Sequence, residues 1–311
     1  MKQYLDVLKD VIDNGIDRPD RTGTGRRSVF QRTMRFNLQK GFPIVTTKKV
    51  NFNSVKEELL WFLKASQDNK ELQKVGVHIW DDNANASYWK PKAKFQGDLG
   101  RIYGVQQRKY RGINDRVFDK LDSIIQCLEE DSNNIDMMAV INALNETRKE
   151  LILEVDQLSR IIENIKKDPY GTRHIMTAWN PAELDQMALP PCHDVISHFF
   201  VADGKLSFFM YQRSCDMFLG VPFNISSSSL LLSMIAQVTN LEPYEFIHQL
   251  GDAHIYHNHL EQVKIQLQRE SLPLPILRLN PEIKNIDDFK ADDIQLIDYK
   301  SHPFIKASMA V

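Results

Sequence analysis

Cysteine is scarce in this chain: three in 311 residues, at positions 127, 192 and 215. An odd, sparse set argues against a disulfide framework. It points to reduced thiols in a cytoplasmic compartment, the host cytoplasm if the chain is viral. No Cys/His spacing suggests a zinc site, so no metal is expected. An excess of one charge is also missing. The 39 Lys+Arg and 41 Asp+Glu leave a net charge of −2, which makes no global case for nucleic acid or a membrane surface. No apolar run approaches the ~20 residues of a membrane span. The opening Met1-Lys2-Gln3-Tyr4-Leu5 has no apolar core of a secretion signal. What is present is ordinary for a globular protein: 42% hydrophobic and 26% charged residues, enough to bury a full core as one large domain or two modest ones.

Glycine and proline are absent from 113–168. Val117, Leu121, Ile124, Ile125 and Leu128 mark one helical face there, and a longer one runs from Met137 to Ile165. Asp131-Ser132-Asn133-Asn134 supplies turn and cap residues between them. The pattern predicts a helical hairpin whose second arm is a single helix over about 136–167, roughly 45 Å long at 1.5 Å per residue. Elsewhere, apolar spacing predicts helices over 3–13, 55–63, 226–239 and 258–268. Alternation predicts strands over 28–36, 174–179, 198–202, 205–212 and 251–256, with a hairpin turn at Asp203-Gly204. No internal repeat or low-complexity segment is visible.

Several stretches carry chemistry. In Leu189-Pro190-Pro191-Cys192-His193, two prolines make a stiff, non-helical approach to a lone cysteine. Tyr211-Gln212-Arg213-Ser214 follows about twenty residues on. A guanidinium beside Cys192 would keep a nucleophilic thiolate ionised and hold an anionic substrate. On residue type alone, a small buried hydrophobe is an equal reading for Cys192. Asp20-Arg21-Thr22-Gly23-Thr24-Gly25 can cradle a phosphate, although it lacks a Walker ending and composition favours a solvated loop. Glu58 sits in an apolar run, where burial would raise its pKa and suit it to proton handling; the wet edge of a helix is the alternative. His254 and Tyr256, two apart on a strand, point to one face.

Taken in order, the runs Asp20 to Gly25, Gly41 to Lys49, Glu58 to Leu63, Ile79 to Asp81, Gly97 to Gly104, Ala178 to Pro181, Leu189 to His193, Tyr211 to Ser229 and Gly251 to Glu261 resemble the folate-dependent thymidylate synthase family, which includes dUMP and dCMP hydroxymethylases. So does the ending Met309-Ala310-Val311. The resemblance implies an α/β (α+β) fold: a mixed sheet flanked by helices that dimerises through the sheet. It implies a single catalytic domain over 1–311, carrying a helical insertion at about 112–152. It also implies one-carbon transfer from 5,10-methylenetetrahydrofolate to C5 of dUMP.

By this resemblance Cys192 is the nucleophile. Glu58, Tyr103, Asp216 and Asn224 serve catalysis. Arg21, Arg213 and Ser214 hold the phosphate, with Arg173 donated across a homodimer interface. Gln212 and Asn224 meet the base, and His254 and Tyr256 meet the deoxyribose 3′-hydroxyl. Lys48, Ile79, Trp80, Asp216, Phe223 and Ala310 lie on the folate side. No membrane is involved, and catalysis requires no nucleic acid. An amide at 224 offers a donor to uracil O4 and an acceptor to N3–H, which argues for uracil over cytosine.

The sequence departs from the family pattern at several points: Thr172 before Arg173, Asn83, Gln107, Ser197-His198 and Ser228. An extra residue ahead of Tyr211 suggests a β-bulge. These changes make the site smaller, more polar and wetter. Reductive methylation to dTMP is the expected outcome, with hydroxymethylation of dUMP the alternative. A non-catalytic nucleotide- or RNA-binding relative is a third reading, against which the intact Cys192, Glu58 and Asn224 speak.

Overall fold

The computed structural model describes residues 1–20, 23–130 and 136–308. Its strands are Ile16–Arg18 (β1), Arg26–Asn37 (β2), Tyr110–Ile113 (β3), Ile152–Val155 (β4), Ile175–Met176 (β5), Ile196–Ala202 (β6), Lys205–Asp216 (β7), Glu242–Tyr256 (β8), Ile276–Leu279 (β9) and Ile294–Ile297 (β10). Its helices are Lys2–Asn14 (α1), Phe52–Leu63 (α2), Asn69–Lys74 (α3), Asp81–Asn85 (α4), Tyr103–Arg108 (α5), Arg116–Glu130 (α6), Met137–Glu150 (α7), Gln157–Lys167 (α8), Gly220–Val238 (α9) and Leu260–Leu267 (α10).

The main sheet has the order β1-β2-β8-β7-β6-β5. It is mixed, as expected: β7 and β8 pair in parallel and every other pair is antiparallel. Parallel neighbours need a crossover, and α9 provides it. The β6–β7 hairpin turns at Asp203 and Gly204, whose φ values are +49° and +70°. Two successive left-handed residues match the twist of flanking strands.

One face of the sheet makes the core. On β7 the buried row is Leu206, Phe208, Met210 and Gln212; on β8 it is Phe246, His248 and Leu250. Phe208 stacks on Phe199 at 4.5 Å and on Phe246 at 5.5 Å. Gln212 and His248 are the polar members of these two adjoining rows. The other face exposes Phe30, Ile196 and Phe200.

Helix α9 is buried nearly all round. Two of its serines are satisfied locally: Ser229 Oγ donates to Ile225 O at 2.7 Å and Ser233 Oγ to Ser229 O at 2.8 Å. By length and composition α9 could cross a membrane, which the sequence reading overlooked, yet it lies inside the protein. It begins earlier than expected, taking in Pro222, Phe223 and Asn224.

The single long helix expected over 136–167 is two helices separated by β4. Ile152, Leu153 and Val155 favour extended backbone and pair with β3, Ile113 opposite Ile152 and Tyr110 opposite Val155. Asp156 then caps a new helix, its side chain accepting from Ser159 N. The predicted turn residues 131–134 lie outside the described residues. The strand predicted over 174–179 shrinks to β5 at the sheet edge.

The expected bulge is present, but just ahead of β6. Ile196 lies opposite Tyr211, whereas Cys192 O accepts from Arg213 N. Four steps of chain on one side thus face two on the other. Asp194 absorbs the difference at φ +53°.

Gly104 lets α5 press against α2. A Cβ there would lie 2.2 Å from Phe62 O. Gly104→Ala should destabilise the protein by about 1–3 kcal/mol through overpacking. Gly112→Ala, where no atom lies within 4 Å of the new Cβ, should change stability by less than about 0.5 kcal/mol. Denaturant unfolding of both variants checks this.

Candidate active site

The geometry centres on Cys192. Its backbone N–H donates to Tyr103 Oη at 2.8 Å. Arg213 holds the turn from the other side: Nε donates to Pro191 O at 3.2 Å and Nη2 to Pro190 O at 3.4 Å. Arg213 Nη2 also lies 3.8 Å from Cys192 Sγ, and the guanidinium sits 5.3 Å from the Trp179 ring centroid. The thiol is half-buried. Burial pushes its pKa up; the Arg213 charge and the Tyr103 hydroxyl pull it down, and Asp216 adds a smaller upward push. Burial outweighs the other influences, while the Arg213 charge acts in the expected direction.

A line of aromatic rings leads from Cys192 to Glu58. Tyr103 stacks on Phe62 at 5.2 Å and on His193 at 4.4 Å, and meets Trp80 edge-on at 5.8 Å. Trp80 Nε1 donates to Glu58 Oε1 at 2.7 Å. Glu58 is buried, as one of its two sequence readings required. Burial raises its pKa to about 7 against the opposing pull of His193 and the Trp80 hydrogen bond.

Across the sheet, Gln212 Nε2 donates to Asn224 Oδ1 at 3.1 Å. Asp216 faces His254 in the β7–β8 register, and Asp216 Oδ1 accepts from Phe218 N and Leu219 N. His254 Nδ1 donates to Asp252 O at 3.0 Å, and its ring meets Tyr256 edge-on at 5.1 Å. Ser214 sits on the same stretch of β7, opposite Asp252.

Other predicted residues are less closely joined. Lys48 is buried over the Phe218 ring at 3.6 Å and donates to Phe218 O. Burial lowers its pKa to about 8, with Asp216 opposing. Ile79 packs beside Trp80, and Phe223 packs partly buried against the main core. Arg173 is exposed just before β5, with no hydrogen bond or ion pair to the Cys192 cluster among the described residues. Arg21 and Ala310 lie outside the described residues.

Sequence reasoning missed a second polar cluster. His193 Nδ1 lies 3.0 Å from Asp194 Oδ2, which also accepts from Gln107 Nε2 at 3.2 Å; Ser197 Oγ donates to Asp194 Oδ1 at 3.0 Å. Burial pushes the Asp194 carboxyl up, but the His193 hydrogen bond and charge, aided by Ser197, hold it below its ordinary value. The clue was a carboxylate directly after Cys192-His193, where a buried charge needs partners. Gln107 and Ser197 had drawn notice only as departures from a pattern.

Glu58 also gives a pH signature. Its carboxyl keeps its proton in the folded chain to about pH 7, against an ordinary value of 4.5. The stability it contributes is fully present below the lower value and is lost as pH rises through the higher one. The difference between wild type and Glu58→Gln should therefore fall by roughly 3 kcal/mol across that window. Urea titrations at a series of pH values measure it.

A comparison with protein families matches residues 2–152 and 143–311 to a family described as Thymidylate synthase.

Proposed function

Because the chain belongs to the thymidylate synthase family, and so to folate-dependent one-carbon transfer to dUMP, we propose that it methylates dUMP to dTMP with Cys192 as the nucleophile. The observation that carries this reading is the unbroken path Glu58–Trp80–Tyr103–Cys192–Arg213, with the Gln212–Asn224 amide pair beside it.

Uracil C5 is a poor nucleophile. Addition of the Cys192 sulfur to C6 forms an S–C6 bond and opens the C5=C6 double bond. The electron pair passes to C5 and O4 as an enolate. Glu58, with a pKa near neutrality, manages proton transfer at O4. C5 then attacks the one-carbon unit and loses its proton. That proton loss lets the tetrahydrofolate nitrogen leave and turns the one-carbon unit into an exocyclic methylene; hydride added to the methylene makes it a methyl group, and re-formation of the C5=C6 bond expels the sulfur. Arg213 and Ser214 hold the phosphate together with Arg21, and His254 and Tyr256 hold the 3′-hydroxyl. Tyr103 fixes the Cys192 backbone while the sulfur reacts.

Methylenetetrahydrofolate supplies the one-carbon unit and, for methylation, the hydride. The ring and aliphatic surfaces of Trp80, Ile79 and Phe223 suit its pterin, and Asp216 Oδ2 carries no hydrogen bond among the described residues. Lys48 and Ala310 complete that side. We place the enzyme in the cytoplasm as a homodimer, supported by the exposed apolar residues Phe30, Ile196 and Phe200 on the outer sheet face. Arg173 then reaches the partner's phosphate site. The α6–α7 hairpin is an insertion into a single catalytic domain.

One observation favours a second reading. The Gln107–Asp194–Ser197 cluster behind His193 is polar and buried, and a site that orders water would give a 5-hydroxymethyl product instead.

Mass spectrometry of the product decides between the two. dTMP with dihydrofolate is expected; 5-hydroxymethyl-dUMP with tetrahydrofolate overturns methylation. With 5-fluoro-dUMP and methylenetetrahydrofolate a covalent adduct at Cys192 is expected, and binding without an adduct would favour a non-catalytic protein. Cys192→Ser should lower turnover by about 10³-fold or more. Mixing dissociated Cys192→Ser and Arg173→Glu subunits should restore activity, because each mixed dimer has one site with both residues intact. No recovery would place Arg173 outside the partner's site.

A further inference from the structure

His248 needs an explanation that core packing does not supply. It is fully buried in the inward row of β8 between Phe246 and Leu250, opposite Met34 on one side and Met210 on the other. A leucine or phenylalanine would fill that place without desolvating an imidazole. Its Nδ1 is buried and has no hydrogen-bond partner, a further penalty. Its Nε2 lies 2.8 Å from Gln212 Oε1.

The direction of that hydrogen bond follows from a backbone group. Gln212 Nε2 lies 3.0 Å from Ser214 O. A backbone carbonyl only accepts, so this end of the Gln212 amide must be its NH₂. The other end is the carbonyl oxygen, and it faces His248. His248 must therefore carry its proton on Nε2 and leave Nδ1 bare. Burial supports this state by holding the ring neutral, its pKa lowered to about 3; the nearby charge of His193 acts the same way and that of Asp194 opposes it.

The second proton on Gln212 Nε2 goes to Asn224 Oδ1 at 3.1 Å. That fixes the Asn224 amide as well: its oxygen faces Gln212, and its NH₂ occupies the other edge. Left alone, an asparagine amide can turn over, exchanging donor for acceptor. Uracil presents an acceptor at O4 and a donor at N3; cytosine presents the reverse. The orientation of one amide therefore decides which base is matched.

We infer that His248 is a positioning residue that locks Gln212 against Ser214 O and thereby sets the donor–acceptor pattern with which Asn224 selects a uracil over a cytosine nucleotide. This rests on the reading of Asn224 as the base contact. Remove the imidazole donor, and Gln212 Oε1 faces an apolar wall. The amide then keeps only its donor bonds to Ser214 O and Asn224 Oδ1, its buried oxygen is left unpaired, and its hold on the Asn224 orientation weakens.

Two measurements test this. In the full-length wild type labelled with ¹⁵N-histidine, long-range ¹H–¹⁵N spectra should show His248 neutral, protonated at Nε2, with no titration from about pH 5.5 to 8. The Nδ1-protonated tautomer would overturn the inference. Second, kcat/KM is measured for dUMP and dCMP in the wild type, His248→Leu and His248→Gln, with Tm alongside. The preference for dUMP should fall about tenfold in His248→Leu, while the 5-fluoro-dUMP adduct still forms. His248→Gln, whose own amide can donate to Gln212, should stay within about threefold of the wild type. An unchanged ratio in a folded His248→Leu protein defeats the proposal. If that variant does not fold, Gln212→Met carries the test from the other end, and an unchanged ratio there is equally decisive. A wild type that turns over neither nucleotide would count against the functional reading alone, since the tautomer is measured independently of turnover.

Discussion

The Pro190-Pro191-Cys192 turn is pinned from both sides, and the rest of the site is arranged around that restraint. Tyr103 accepts from its last amide, while Arg213 binds three of its carbonyls, two through the guanidinium and one through its own backbone N–H. Two prolines narrow the conformations the turn can adopt before folding, so these few bonds suffice to hold it. Tyr103 is in turn held against the rings of Phe62 and His193, and Gly104 permits the close approach that puts it there. The sulfur thus projects from a stiff support instead of a mobile loop, which is what an addition reaction at one ring carbon requires.

Several polar side chains are buried around that support. Glu58, Asp194, Gln212 and His248 are all buried. Each has hydrogen bonds that set either its charge or its orientation. Glu58 answers burial by keeping its proton near neutrality, whereas Asp194 answers it by gathering donors. The same low-dielectric wall therefore yields one neutral and one ionised carboxyl.

Much of this was legible in the sequence. Periodicity marked the longer helices and at least part of every main-sheet strand but β1, Asp203-Gly204 announced its hairpin, and the run around Cys192 drew attention to a cysteine that lies beside Arg213 and Tyr103. The failures have physical causes. Ile152 to Val155 read as helix because a short apolar run fits either period, and only pairing with Tyr110–Ile113 resolves it. The bulge at Asp194 depends on how two strands line up, which no local pattern contains. His248 hid inside an apolar alternation, and its meaning lies in a partner 36 positions away, Gln212. Glu58 could be recognised as a candidate, but its ionisation depends on burial that tertiary packing creates.

The β3–β4 ribbon bears on how such a chain tolerates growth. Ile113 and Ile152 stand directly opposite one another, so their Cα atoms are roughly 5 Å apart. The described chain between them starts and ends at this one ribbon. The ring-closing entropy of that excursion falls on the ribbon, and it rises only slowly with length. The sheet bearing Arg213 and His248 is separate from that ribbon. A change in the length of the excursion would therefore fall first on the stem.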